Sequence, residues 1–136
     1  MVHGGVMVVQ KTIRDIIGGL SVVCVKPGDS VRHAARAMYE RDVGAVVVME
    51  DGHLRGIFTE RDALRFFAAT RRNPYVIDVS VVMTPNPVTV SPDTPAEEAR
   101  LLMLSNGFRH LPVVDGDEVV GVVSLRGLDF DSSWPG

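Results

Sequence analysis

Adding 65 to positions 25–64 of this chain gives positions 90–129 without a gap, and no other property of the sequence constrains its fold as much. Seven of the forty pairs are identical: Val25/Val90, Pro27/Pro92, Ala34/Ala99, Met38/Met103, Val48/Val113, Gly56/Gly121 and Arg61/Arg126. Self-similarity at a fixed period marks a duplicated supersecondary unit. A unit of about 50 residues can hardly cover its own apolar face, so the two copies must pack as one module.

The residue types repeat more strongly than the identities. Each copy opens on a β-branched run, Val22–Val25 or Val88–Val90, stopped by Pro27 or Pro92. A helix follows. In the first copy Asp29 or Ser30 caps it; in the second, Thr94, Pro95 and Glu97 read as N-cap, N1 proline and capping-box acid. Apolar residues at Val31, Ala34, Ala35 and Met38, and at Ala99, Leu102 and Met103, form a 3.6-residue stripe. Asn106-Gly107 predicts the end of the second helix.

Second strands are expected at 45–49 and 111–114 and third strands at 54–58 and 119–123, joined by the turns Glu50-Asp51-Gly52 and Asp115-Gly116-Asp117. Thr59 and Ser124 then cap a last helix, long in the first copy and short in the second. Short helices at 12–17 and 77–82 precede each copy. The expected organisation is a lead-in 1–11, a first repeat 12–70, a linker 71–76, a second repeat 77–129 and a tail 130–136. The fold class is α+β, a tandem β-α-β-β-α repeat related by a pseudo-two-fold axis.

Composition narrows the function. Hydrophobic residues make up 46% of the 136 and aromatics only 6%, so the core is aliphatic. A formal charge of −3 gives no reason to expect nucleic acid or a membrane surface. The single Cys24 excludes an internal disulfide and suggests a reducing, cytoplasmic compartment. In its apolar run it reads as a small buried hydrophobe. No stretch approaches the ~20 apolar residues of a spanning helix. Positions 1–9 lack the basic region of a signal peptide and suggest a flexible lead-in or an edge strand. His3, His33 and His53 have no metal-ligand spacing with one another or with Cys24. No Walker A loop or nucleophile-and-base motif is present, so no catalytic residue is assigned.

The informative segment follows the third strand: Gly56-Ile57-Phe58-Thr59-Glu60-Arg61-Asp62 in one copy, Gly121-Val122-Val123-Ser124-Leu125-Arg126-Gly127 in the other. Thr59 with Asp62 is a capping box. The same geometry suits a ligand, because a helix N-terminus favours anions and a carboxylate there can accept both hydroxyls of a ribose. Gly56 would let the backbone approach closely.

This doubled unit, with its Gly-h-h-Thr/Ser-x-x-Asp pattern and with Gly107-Phe108-Arg109-His110-Leu111-Pro112-Val113-Val114-Asp115, resembles the cystathionine-β-synthase (CBS) domain pair. Val82 to Val90 also matches, and the likeness covers about residues 12–129. The resemblance implies a regulatory module, not an enzyme, that binds AMP, ADP, ATP, NAD or S-adenosylmethionine between its repeats. It needs no cofactor; the nucleotide is its regulatory ligand.

Carried over, Asp62 and Thr59 would hold the ribose and Arg109 and His110 the phosphate, while Val23, Ala45 and Ile57 would line the base. The mirror-related cleft would use Ser124, Arg126 and Val122, but has Gly127 in place of the acid and Gly44-Ala45 at its phosphate corner. One competent and one degenerate site are therefore expected. Arg61 and Arg126 could reach a phosphate or a partner carboxylate, or simply face solvent. The resemblance also implies a homodimer through the helices and an unidentified regulated protein. The rival reading is a structural or protein-interaction module with an empty cleft; the loss of an acid at 127 favours it, and Asp62 with Arg109 opposes it.

Overall fold

The computed structural model describes residues 2–3, 6–7, 11–17 and 22–129. The tail 130–136, and much of the lead-in with the His3 side chain, lie outside them. Within the lead-in, β1 (Val2–His3) pairs antiparallel with β2 (Val6–Met7), so this stretch makes its own hairpin.

The 65-residue offset survives in three dimensions. Helix α2 (Val31–Arg41), strand β4 (Ala45–Glu50) and strand β5 (His53–Thr59) recur residue for residue as α5 (Ala96–Asn106), β7 (His110–Asp115) and β8 (Glu118–Ser124). Even the irregularities match, since the register shifts at Val48/Met49 in one hairpin and at Val113/Val114 in the other. The third strands run into α3 (Glu60–Ala69) and α6 (Leu125–Asp129), where the described residues end.

Local chemistry explains the elements. Ser30 caps α2 by accepting from the His33 amide at 3.0 Å. Val31, Ala34 and Met38 of α2 and Ala99 and Met103 of α5 are buried, as their spacing predicts. Both helices stop on a left-handed residue, Asp42 (φ 53°) or Gly107 (φ 72°).

Two expectations fail. Thr94 does not cap α5: its hydroxyl accepts from the Ser91 amide at 3.0 Å, and Pro95 occupies the N-cap position without a side-chain bond. The first-strand runs are shorter than expected. Only β3 (Cys24–Val25) forms in the first copy, parallel to β4, and a single Val90–Val113 bridge forms in the second. In the second copy Pro112 supplies the reason. Its equivalent Val47 donates to the Val23 carbonyl at 3.0 Å, whereas proline has no N–H to give. Cys24 is exposed, not buried; desolvation still raises its thiol pKa, so it stays protonated at neutral pH.

The short segments are exchanged between repeats. Helix α1 (Ile13–Ile17), which precedes the first copy, donates from Ile13 and Arg14 to the carbonyls of Thr94 and Pro92 at 2.9 and 2.8 Å. Ile13 and Ile17 sit in the second core with Met103, Leu111, Val113, Val123 and Leu128. Conversely α4 (Val79–Val82) docks on the first copy, Val79 donating to the Asp29 carbonyl at 2.7 Å and joining Val31, Met38, Val48 and Phe58. The following β6 (Thr84–Pro85) pairs with β5, completing the order β3-β4-β5-β6.

This exchange accounts for one of the identical pairs. A side chain at Gly56 would meet Met83 Cγ and the Thr84 carbonyl at 2.9 Å, and one at Gly121 would meet Ile17 Cδ1 at 3.1 Å. Both glycines leave room for a segment arriving from in front of the other copy.

Candidate functional site

Two clefts open between the repeats, and their walls obey the same offset. The first, of about 630 Å³, takes Ile57, Thr59, Glu60, Arg61 and Asp62 from the β5–α3 junction and Pro87, Val88, Phe108, Arg109 and His110 from the second copy. The second, of about 540 Å³, takes Val122, Ser124, Leu125 and Arg126 from the β8–α6 junction and Val22, Val23, Val43, Gly44 and Ala45 from the first copy.

Thr59 is extended (φ −117°) and accepts from the Asp62 amide at 3.2 Å, while the Asp62 carboxylate accepts from the Thr59 amide at 3.0 Å. The second carboxylate oxygen lies 3.7 Å from Arg65, and only 13% of the side chain is exposed. A carboxylate has about four acceptor positions, so capping leaves capacity for a ligand hydroxyl. In the second cleft Ser124 accepts from the Gly127 amide at 2.9 Å, but no acid answers it. The cap is kept and the carboxylate is lost.

Arg109 and His110 are placed from the other side. Gly107 ends α5 in the left-handed region, which turns the chain directly into β7. The Arg109 carbonyl then accepts from the Leu125 amide at 2.8 Å, matching the Glu60 amide on the Gly44 carbonyl at 3.1 Å. His110 is largely shielded from solvent. Burial, the main cause, lowers its pKa; Arg109 acts in the same direction, and Glu60 and Asp62 oppose it.

The structure brings together Ile57, Thr59, Arg61, Asp62, Arg109 and His110, and groups Val122, Ser124 and Arg126 in the other cleft. It separates three residues from the first set. Val23 and Ala45 line the second cleft, because each cleft pairs the β5 or β8 end of one repeat with the first-strand region of the other. Their counterparts at +65, Val88 and His110, stand in the first. Gly56 lies outside both linings, occupied by Met83 and Thr84.

The corner of the second cleft at Gly44-Ala45 is also less bare than the sequence suggested, since Glu60, Arg109 and His110 border both clefts. Sequence reasoning gave Glu60 no role and read Gly44 only as an uncharged corner of the second cleft. A side chain at Gly44 would meet His110 Nε2 at 2.9 Å and a Glu60 carboxylate oxygen at 3.1 Å. The signal was present, as position 44 is glycine where its counterpart, 109, is arginine. Among the described residues no three His, Cys, Asp or Glu side chains are grouped to hold a metal, and no helix is long and apolar enough to cross a membrane.

Two β-α-β-β-α repeats that exchange short segments and face one another across a pair of clefts define a two-repeat cleft module. The family model described as the CBS domain matches residues 12–69 and 76–128, and this chain belongs to that family as a CBS domain pair. It is 39% identical over 108 residues to the CBS domain-containing protein YhcV of Bacillus subtilis, covering 79% of this chain and 76% of that one. A CBS-domain-containing protein from Agrobacterium tumefaciens has the same fold, with a TM-score of 0.81 and 32% identity over 88% of this chain and 97% of its own. A CBS domain protein from Pyrobaculum aerophilum, solved in complex with AMP, aligns at a TM-score of 0.82 over 90% and 94% of the two chains. At 24% identity that likeness is one of fold.

Proposed function

We propose that this CBS pair is a regulatory module that holds an adenosine compound in the first cleft. The observation that carries the reading is the placement of Asp62, tied by Thr59, in one cleft with Arg109 and His110. A carboxylate suited to a ribose and cations suited to a phosphate are the two polar requirements of a nucleotide, and the aliphatic Ile57, Pro87 and Val88 suit a base. The AMP complex of the Pyrobaculum protein shows that this architecture accommodates such a ligand in at least one fold-mate. AMP, ADP, ATP, NAD and S-adenosylmethionine are the candidates.

Binding would change how the two repeats pack and so bias a regulated protein or a second copy of the chain. Exposed Tyr39 and Phe67 on α2 and α3, and Leu101 and Leu104 on α5, supply apolar helix faces for a homodimer. A cytoplasmic location is in keeping with an exposed thiol that has no disulfide partner among the described residues. The alternative, a ligand-free interaction module, draws its support from Gly127 and applies to the second cleft.

Thermal denaturation with each candidate nucleotide tests the reading. A ligand at about 100 times its Kd adds about 2.7 kcal/mol of stability, a shift of several degrees. No shift with any of them removes the nucleotide assignment.

A further inference from the structure

His110 stands in the wall between the two clefts and borders both. The missing side chain at Gly44 is what admits its ring, together with the Glu60 carboxylate. Its Nδ1 is buried and has no hydrogen-bond partner, an arrangement that costs free energy until a partner arrives. The charged and polar groups around the ring are Glu60 and Asp62 at the start of α3, Arg109 beside it in the chain, and Ser124 opposite it in the β7–β8 pair. Asp42 and Arg126 border the second cleft with it. With the cleft empty, burial prevails over the two carboxylates and the neutral ring is favoured.

We propose that His110 takes up a proton when a phosphate seats in the first cleft, and that this uptake is how the cleft prefers phosphate-bearing adenosine compounds over phosphate-free ones. The proposal rests on the reading of that cleft as an adenosine site. A neutral imidazole donates from one nitrogen only, whereas the imidazolium donates from both. Once a phosphate joins Glu60 near the ring, two anionic acceptors are present and only the charged ring serves both. A nearby opposite charge favours the charged form. The proton comes from solvent, the phosphate keeps its own charge, and no covalent bond breaks. AMP affinity therefore rises as pH falls toward the ordinary histidine range, and adenosine affinity does not.

Calorimetric titration of the full chain with AMP and with adenosine, at pH 7 in two phosphate-free buffers of very different ionisation enthalpy, measures the proton count. The expected result is uptake of about half a proton or more with AMP and about none with adenosine. In His110→Gln, which keeps a donor but does not titrate, uptake disappears and the AMP-over-adenosine preference falls about tenfold. AMP binding without uptake, or uptake that persists in the variant, overturns the proposal and leaves the adenosine site standing. Failure of both compounds to bind overturns the proposal, and the site itself then stands or falls on the thermal shifts with the remaining candidates. Should the variant fold poorly, the wild-type ring resonances decide: one of the four histidines must move toward the imidazolium position with AMP and not with adenosine.

Discussion

The two clefts are one design executed twice with different side chains. Both have a hydroxyl that caps a helix, an arginine two residues beyond it, and a left-handed helix end opposite. The positions that shape the backbone, Thr59/Ser124, Gly56/Gly121 and Asp42/Gly107, keep their chemistry or their conformation. At the clefts, Glu60/Leu125, Asp62/Gly127, Gly44/Arg109 and Ala45/His110 change class, whereas Ile57/Val122, Arg61/Arg126 and Val23/Val88 do not. Because Arg109 and His110 border both clefts, the second is poorer chiefly in its missing carboxylate.

The comparison can be broken first at the level of the cores. Ile13 is fully buried in the second repeat's core although it precedes the first repeat in the chain. Ile13→Ala should cost about 2–5 kcal/mol by chemical denaturation. Native-state hydrogen exchange should show amide protection falling in β7 and β8 before β4 and β5; the reverse order would refute the exchange of segments.

At the clefts themselves, Asp62→Ala should weaken nucleotide binding by about 1.5–3 kcal/mol, the worth of a charge-assisted hydrogen bond, and Ser124→Ala should leave it unchanged. Equal losses in the two variants, measured by the thermal shift, would mean that the clefts are equivalent. Gly127→Asp would rebuild the missing capping box. It should stabilise the chain by about 0.5–1 kcal/mol and add a second, weaker binding event in a calorimetric titration. The Ser124 hydroxyl lies 2.8 Å from the new Cβ and must give by a few tenths of an ångström while keeping its bond to the amide, as the 3.2 Å bond at Thr59 does. The smallest effect belongs to Asp42, which is left-handed at φ 53° where its counterpart is glycine. Asp42→Gly should raise stability by a few tenths of a kcal/mol to about 1, read as a small gain in melting temperature.

Much of this was visible in the sequence because strand alternation, caps and turn glycines act locally. The offset of 65 already aligned α2 with α5 and each hairpin with its twin, and the resemblance to the CBS pair gave Thr59, Asp62, Arg109 and His110 their expected roles. What was hidden is what depends on which copy a segment packs against. Val23 and Ala45 fell in the other cleft for that reason, and Gly56 proved to make room for Met83 instead of a ligand. Proline at 112 hid the shortened first strand, because its effect lies in a bond that Val47 makes and it cannot. Cys24 was misjudged because an apolar neighbourhood in sequence does not ensure cover in space.

The exchanged helix α1 also dictates a timetable. Its backbone bonds run to Pro92 and Thr94, and from Ile13 to Thr94 the chain is 94 − 13 = 81 residues long. At roughly 5–20 residues per second, a ribosome needs about 4–16 s to deliver that partner after α1 has been made. Helix α4 emerges only near the end of this interval, so the first repeat closes around it shortly before Thr94 appears, and until then Ile13 and Ile17 remain without their core. The segment synthesised first is therefore locked in last, and the same exchange lets a chain cut in the connector at 71–76 stay together, since each fragment holds part of the other's interior.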